Sequence, residues 1–413
     1  MRTVSRTILS AAIAAGVLAP LASAVAQWAD RGEYDLVLMI RSEGSPQKRL
    51  DLIDTWRKQY PKSQLAESRR ELALTTYQSM RDWPHMLAVA REINTAEPSN
   101  PVGLYWCASL IPGSSGVSPE TITLAETAAR ALLSGGSAMF APDKKPAGTT
   151  EAEWRASRAA SAVVARRALG WAAWQKKDLT EAASEFTAAL KEDPKNAEMS
   201  AWLGIVLSLQ KDKPAQAIWS VLRAGALRDE GALPDDQRLQ VAQTAERAYV
   251  AWHGSADGLD AVRQKSLESA LPPADFTIET ASSVALRNLE EQTRATNPQL
   301  ADWFHTRRML EDPGGGQFFK TLQSQPLPKL KGIVIRCSPE TRPEQVTLGI
   351  RDGSTEEVLL KFASPMRFAA DPGTEIEFTG NAESFHAAPF QLVVTTDAKN
   401  VEGWPARPGA RKH

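Results

Sequence analysis

The sequence predicts an α+β multidomain chain in which a superhelical array of α-helical hairpins is followed by a small five-stranded antiparallel β-barrel or sandwich. Three observations carry this. Apolar residues recur every three or four positions from Gln27 to about Trp252, the period of helices with one buried face. From Lys331 onward the period falls to two, the signature of half-buried strands. Between these regions a Leu-Gly pair at Leu169 and Gly170 returns 34 residues later at Leu203 and Gly204, which marks a repeating two-helix unit.

At the start of the chain Arg2 and Arg6 precede an apolar run from Ile8 to Leu21, which closes in small residues with Ala24 and Ala26 on either side of Val25. This layout predicts a secretory signal peptide over residues 1–26, cut before Gln27. The run is shorter than the ~20 apolar residues of a spanning helix. Arg2 and Arg6 are not adjacent, and no Cys lies near the cut, so neither a twin-arginine signal nor a lipid anchor is expected. The expectation is an exported chain, periplasmic or secreted, with no integral membrane segment after cleavage.

The 413 residues suit two or three domains. With 48 basic and 49 acidic side chains the charge nearly cancels, which argues against a polyanionic partner and so against nucleic acid. Cys107 and Cys337 are the two cysteines. One bond cannot staple a chain of this length, so a disulfide framework is excluded. Two free thiols are the simpler reading, and pairing stays open.

Helical hairpins of irregular sequence are expected over residues 27–139. Ala66 to Ser79 and Trp83 to Ala96 form one pair, closed by Pro98. Pro101 to Leu110 begins the next, and Ser118 with Pro119 opens a helix whose buried stripe is Ile122, Ala125, Ala129 and Leu132. Residues 140–150, rich in Pro, Gly and Lys, are expected to be an exposed loop. Thr150 and Glu153 then form a capping box for a helix from Glu151 to Gln175, and Asp178 with Glu181 caps the next.

Within residues 151–253 the pattern is specific. Leu169 and Gly170 lie on one helix, Ala182 and Phe186 on the next, Ala189 adds a small residue one turn on, and Pro194 ends the unit. Leu203, Gly204 and Ala217 repeat it, with one extra residue in the turn near Lys213 and Pro214. This resembles the tetratricopeptide repeat, although Arg166 and Ala173 stand where that pattern has Trp and Tyr. The resemblance implies that Gly170, Ala182 and Ala189 let two helices approach closely while Leu169 and Phe186 fill the seam. It also implies a groove lined by the first helices, with Arg167, Trp171, Trp174 and Gln175 facing it. Packing of Trp171 and Trp174 against neighbouring helices is the competing reading. The clustered Lys and Asn that clamp a terminal carboxylate in some members are missing. The segment from Pro234 to Trp252 reads as a further packing helix, with Leu239, Val241, Ala245 and Ala248 on its apolar side.

Residues 254–328 read as a helical connector, in which Asn297 and Pro298 start a helix through Met309 with Leu300, Trp303, Phe304 and Met309 as core. Pro313 to Gly316 reads as a turn. Over residues 329–404, a β-domain, five runs alternate: Ile333, Ile335 and Cys337; Val346, Leu348 and Ile350; Val358, Leu360 and Phe362; Ile376 and Phe378; Phe390, Leu392 and Val394. Five strands suggest an OB-like barrel, followed by a flexible tail over residues 405–413.

No catalytic constellation is apparent. His85, His253, His305 and His386 are isolated, Cys107 has no neighbouring base, and no Walker, G-x-S-x-G or H-E-x-x-H motif occurs. Glu290 and Glu291, like Glu356 and Glu357, read as solvated faces. No metal or cofactor is expected. The sequence thus predicts an exported, non-catalytic scaffold that binds a protein or peptide. The alternative is an envelope enzyme or accessory subunit with its site in the β-domain or the 140–150 loop.

Overall fold

The computed structural model describes residues 28–312 and 314–406. The expected leader (1–26) and the tail from residue 407 lie outside them. The chain forms two compact units, one made of residues up to Arg247 plus Gly258–Thr277, the other of Ala248–Asp257 and everything from Ile278 on. The connector expected over 254–328 therefore divides, and most of it belongs with the strands.

The first unit is a run of helical hairpins: α1 (Arg31–Ser42), α2 (Pro46–Gln59), α3 (Ala66–Met80), α4 (Trp83–Ala96), α5 (Pro101–Leu110), α6 (Pro119–Met139), α7 (Glu151–Gln175), α8 (Leu179–Glu192), α9 (Ala197–Gln210), α10 (Pro214–Ala226), the start of α11 (Asp235–His253) and α12 (Leu259–Glu268). Each helix packs on the next through α10, as short connections dictate. Their starts are encoded locally. Asp30, Asp82, Asn100, Asp178 and Asn196 each accept a hydrogen bond from a first-turn backbone N–H, and Ser118 and Thr150 form reciprocal capping boxes.

The 140–150 segment departs from expectation at its first residue. Phe140 is buried, its ring 4.9 Å from that of Trp154, and its carbonyl accepts the Trp154 indole N–H at 3.1 Å. An aromatic at the end of α6 is thus drawn into the α7 packing, while the remainder of the loop stays at the surface.

The second unit contains α13 (Ala281–Thr293), α14 (Pro298–Glu311), α15 (Gly315–Gln323) and a seven-stranded mixed sheet: β1 (Leu330–Ser338), β2 (Gln345–Gly349), β3 (Val358–Phe362), β4 (Glu375–Phe378), β5 (Asn381–Ala387), β6 (Phe390–Thr396) and β7 (Val401–Glu402), in the order β5-β6-β3-β2-β1-β4-β7. This corrects the five-stranded antiparallel barrel or sandwich. β3 and β6 are parallel, and the hydrogen-bonded order does not return on itself. The five expected runs are strands. β5 was missed because NAESFHA is mostly polar, and β7 because it is two residues long.

Only Thr379 and Gly380 separate β4 from β5, a link of at most about 11 Å. Those strands lie five places apart in the order, about 24 Å in a flat sheet, so the sheet is strongly coiled. α15 packs against β5, with Phe319 and Phe385 rings 5.0 Å apart, which protects an otherwise open edge.

In β1 the buried positions are Leu330, Gly332 and Val334, not the expected Ile333 and Ile335, while the expected Cys337 is partly buried against the core. A register irregularity between Val334 and Arg336 changes the phase part-way along the strand, because one extra residue reverses which side chains face inward. Trp303 and Phe304 of α14 are core residues as expected, but Leu310 is buried in place of Met309. Gly315 and Gly316 begin α15 and are not part of a turn. A Cβ on Gly315 would come 2.1 Å from the Leu310 carbonyl oxygen, so only glycine allows α15 to start against the end of α14.

The acidic pairs expected to be solvated also differ. Glu357 is buried, accepting from Trp303 Nε1 at 3.3 Å, Arg307 Nη1 at 2.9 Å, Ile350 N at 2.8 Å and Arg351 N at 3.1 Å. Four donors make up for its desolvation, and the carboxylate ties α14 to β2 and β3. Glu290 bonds Arg294 at 2.6 Å and Arg308 at 3.1 Å. A doublet of acids in sequence does not reveal cations that arrive from elsewhere in the chain.

Candidate protein-binding face

Close approach within each hairpin sets the geometry of the face. A Cβ on Gly170 of α7 would lie 2.4 Å from Phe186 of α8, and one on Gly204 of α9 would lie 2.6 Å from Val221 of α10. Ala182, Phe186 and Ala189 are fully buried, as the repeat pattern requires. Leu169 corrects one expectation. It joins the core shared by α3 to α7, whereas Phe186 belongs to the core shared by α7 to α10, which Leu203 also joins. Consecutive helical residues point about 100° apart, so the glycine meets its own partner helix while the preceding leucine packs on the previous hairpin. Leu-Gly is therefore a joint between units as well as within one. Pro194 follows α8, and Ala217 of α10 is buried.

Helical spacing places Arg167, Trp171 and Trp174 on one stripe of α7, and Glu198, Trp202, Ile205 and Leu209 on one stripe of α9. The two stripes meet. Arg167 holds Glu198 with both ends of its guanidinium, at 2.9 and 3.1 Å, and donates to the Ser109 carbonyl at 3.1 Å. The same guanidinium lies 4.8 Å from the centre of the Trp202 ring. Trp174 meets Trp202 edge-on at 6.2 Å, and Trp202 meets Phe186 at 5.6 Å.

Of the four expected groove residues, Trp171 is 5% exposed and part of the core, so the packing reading holds for it. Arg167 is fully engaged by Glu198, Ser109 and Trp202. Trp174 and Gln175 are half-buried at the surface. Sequence reasoning missed Ile205 and Leu209, which are 40% and 50% exposed. The repeat period relates these positions but does not tell exposed from buried, since Trp171 is buried and Ile205 is not. One 34-residue period separates Trp171 from Ile205 and Gln175 from Leu209, and another leads from Ile205 to Leu239, which is 60% exposed. Leu239 was expected to pack inward; Ala245, Tyr249 and His253 are buried positions of α11.

Elsewhere, both thiols are free. Burial pushes Cys107 up to about 12, and Cys337 is raised by burial as well. Among the described residues no group of three or more His, Cys, Asp or Glu side chains is placed to hold a metal ion, and no helix is long and apolar enough to cross a membrane. The second unit has a cavity of about 190 Å³ between the start of α14 and the sheet, where Lys331 and Glu375 pair at 2.7 Å.

The family model for the tetratricopeptide repeat matches residues 151–197 and 167–230, the two hairpins whose Leu-Gly joints are described above. Residues 151–230 are thus similar to tetratricopeptide repeats. Stacked repeats of this kind present extended surfaces that bind other molecules. The human IFIT1 dimer with m7Gppp-AAAA is similar over 78% of this chain and 84% of that one, at 10% identity and a TM-score of 0.24; a likeness at that score carries no argument. The comparison with curated proteins gave no match.

Proposed function

We propose that this chain is an exported, non-catalytic scaffold that holds a protein or peptide on the face formed by α7 and α9. The observation that carries the reading is the adjoining pair of stripes in which Trp174, Trp202, Ile205 and Leu209 remain partly or largely exposed beside a well-packed repeat core. Aromatic and large apolar residues at a surface gain most from being covered by a partner. Export rests on the arrangement of Arg2, Arg6, the apolar run and Ala24 and Ala26.

The test is affinity capture from envelope extract with the mature chain and with Ile205→Ser/Leu209→Ser, whose side chains are exposed enough to change without loss of the fold. The expected result is a specific protein recovered by the first and lost by the second, with equal thermal melts. Equal recovery would refute the assignment of this face. Trp171→Ala is unsuitable, because Trp171 is a core residue. N-terminal sequencing after secretion should begin at Gln27; an uncut product retained in the cytoplasm would refute export.

A further inference from the structure

One stretch of the first unit lies on the helices without being bonded to them. Residues 269–277, SALPPADFT, follow α12 and have no regular structure beyond a turn in which the Phe276 N–H donates to the Pro273 carbonyl at 3.1 Å. The flanks are fixed. Arg223 of α10 donates to the Ser266 carbonyl before the stretch, and the Trp252 indole donates to the Ile278 carbonyl after it at 2.9 Å. Between those points, among the described residues, the hydrogen bonds the stretch makes are to itself.

Its contact with the helices is apolar. Ala270 and Leu271 pack on the core of α7 to α10, and the Phe276 ring meets that of Trp219 on α10 edge-on at 4.7 Å. Leu271 and Phe276 stay half-buried, while Pro273, Ala274, Asp275 and Thr277 are exposed. Pro272 and Pro273 have no backbone N–H to offer and favour extended chain. Trp219 is 2% exposed, yet its indole N–H has no acceptor, whereas buried donors nearly always find one. The stretch thus sits as an extended peptide would on a helical surface, anchored by two large side chains and leaving a donor unmet. Segments with few buried contacts and no hydrogen bonds to their surroundings open at low cost.

We infer that the surface of α10 under residues 269–277 is a docking site for a polypeptide of the same chemistry, an extended stretch with the spacing Leu-Pro-Pro-x-x-Phe, and that the chain's own segment occupies it until such a partner displaces it. The unmet Trp219 donor gives a partner a bond to make that residues 269–277 do not make. This site is separate from the α7 and α9 face and stands or falls without it.

Fluorescence anisotropy of a labelled peptide of residues 268–279, ESALPPADFTIE, tests this with the full chain. The tethered segment competes at an effective concentration of about 1 mM, so weak binding to the unaltered chain is expected. Leu271→Ser/Phe276→Ser removes both anchors from the chain and not from the peptide, and should tighten binding by about tenfold or more as that competition is lost. A peptide carrying the same two serines should bind neither protein. Pro272→Gly/Pro273→Gly loosens the segment and keeps its anchors; it should tighten binding to a smaller extent, and it serves if the first variant melts early. Equal affinity for the unaltered chain and both variants, or binding to none of them, would overturn the inference. A dimer of the unaltered chain that the free peptide dissociates would show that the occupant is the same segment of a second copy, and would overturn its assignment to a separate partner.

Discussion

Gly170 shows how much a single missing side chain accomplishes. Its Cα sits where a Cβ would overlap the Phe186 ring, so Gly170→Leu should lower stability by about 1–3 kcal/mol or more through overpacking, read as a fall in Tm. An unchanged melt would mean that the hairpin is not closed there. The opposite change is expected at Lys177, whose backbone is left-handed, so that Lys177→Gly relieves strain and should raise stability by up to about 1 kcal/mol. Glu71 of α3 supplies a pH dependence. Burial, with Glu67 nearby, pushes its carboxyl from the ordinary 4.5 up to about 7. The folded chain then holds that proton more tightly than the unfolded chain does. Its contribution to stability is full below about pH 4.5 and is lost as pH rises through about 7. Glu71→Gln should flatten that part of the Tm profile, and an unaltered slope would remove Glu71 as its source.

Arg223 governs how elements join. It is buried on α10 and donates to the Pro194 carbonyl at 2.7 Å and to that of Ser266, so it closes the ends of α8 and α12 at once. Burial holds its guanidinium below the usual range, and the two helix-end carbonyls offset part of that cost. Arg223→Met should cost about 1–3 kcal/mol and speed hydrogen exchange across Leu259–Glu268; unchanged exchange there would show that α12 is held by other contacts. Elements of this kind were unequally legible in the sequence. Helix starts such as Ser118-Pro119 and Thr150-Glu153 could be read because caps act within four residues. The Leu169 and Gly170 joint was found, but its direction was not, because neighbouring helices decide which side a leucine packs on. β5 escaped because its stability comes from pairing with β6 and from cover by α15, neither of which leaves an alternating pattern. In β1 a bulge after Val334 changes the inward phase part-way along the strand, which a single alternation cannot express.

At the scale of the whole molecule, two compact units follow from two periodicities, and the division between them falls earlier than the change of period. α13 to α15 pack on the sheet through Leu286, Trp303, Phe304, Leu310 and Phe319, so the helical segment before the strands belongs with them energetically. The candidate face was partly legible. Trp174 and Gln175 followed from the repeat resemblance, as did the engaged Arg167 and the buried Trp171, while Ile205 and Leu209 needed the structure to separate exposed from buried positions of one helix. The account's central claim is that adjacent repeats hold a polypeptide on the α7 and α9 stripes. The most direct test places a photoreactive amino acid at Leu209 and, as a control, at the equally exposed Leu38, followed by irradiation in envelope extract. The account predicts a discrete protein adduct from position 209, absent from 38 and abolished by Ile205→Asp. No adduct at 209, or identical adducts from both positions, would contradict it.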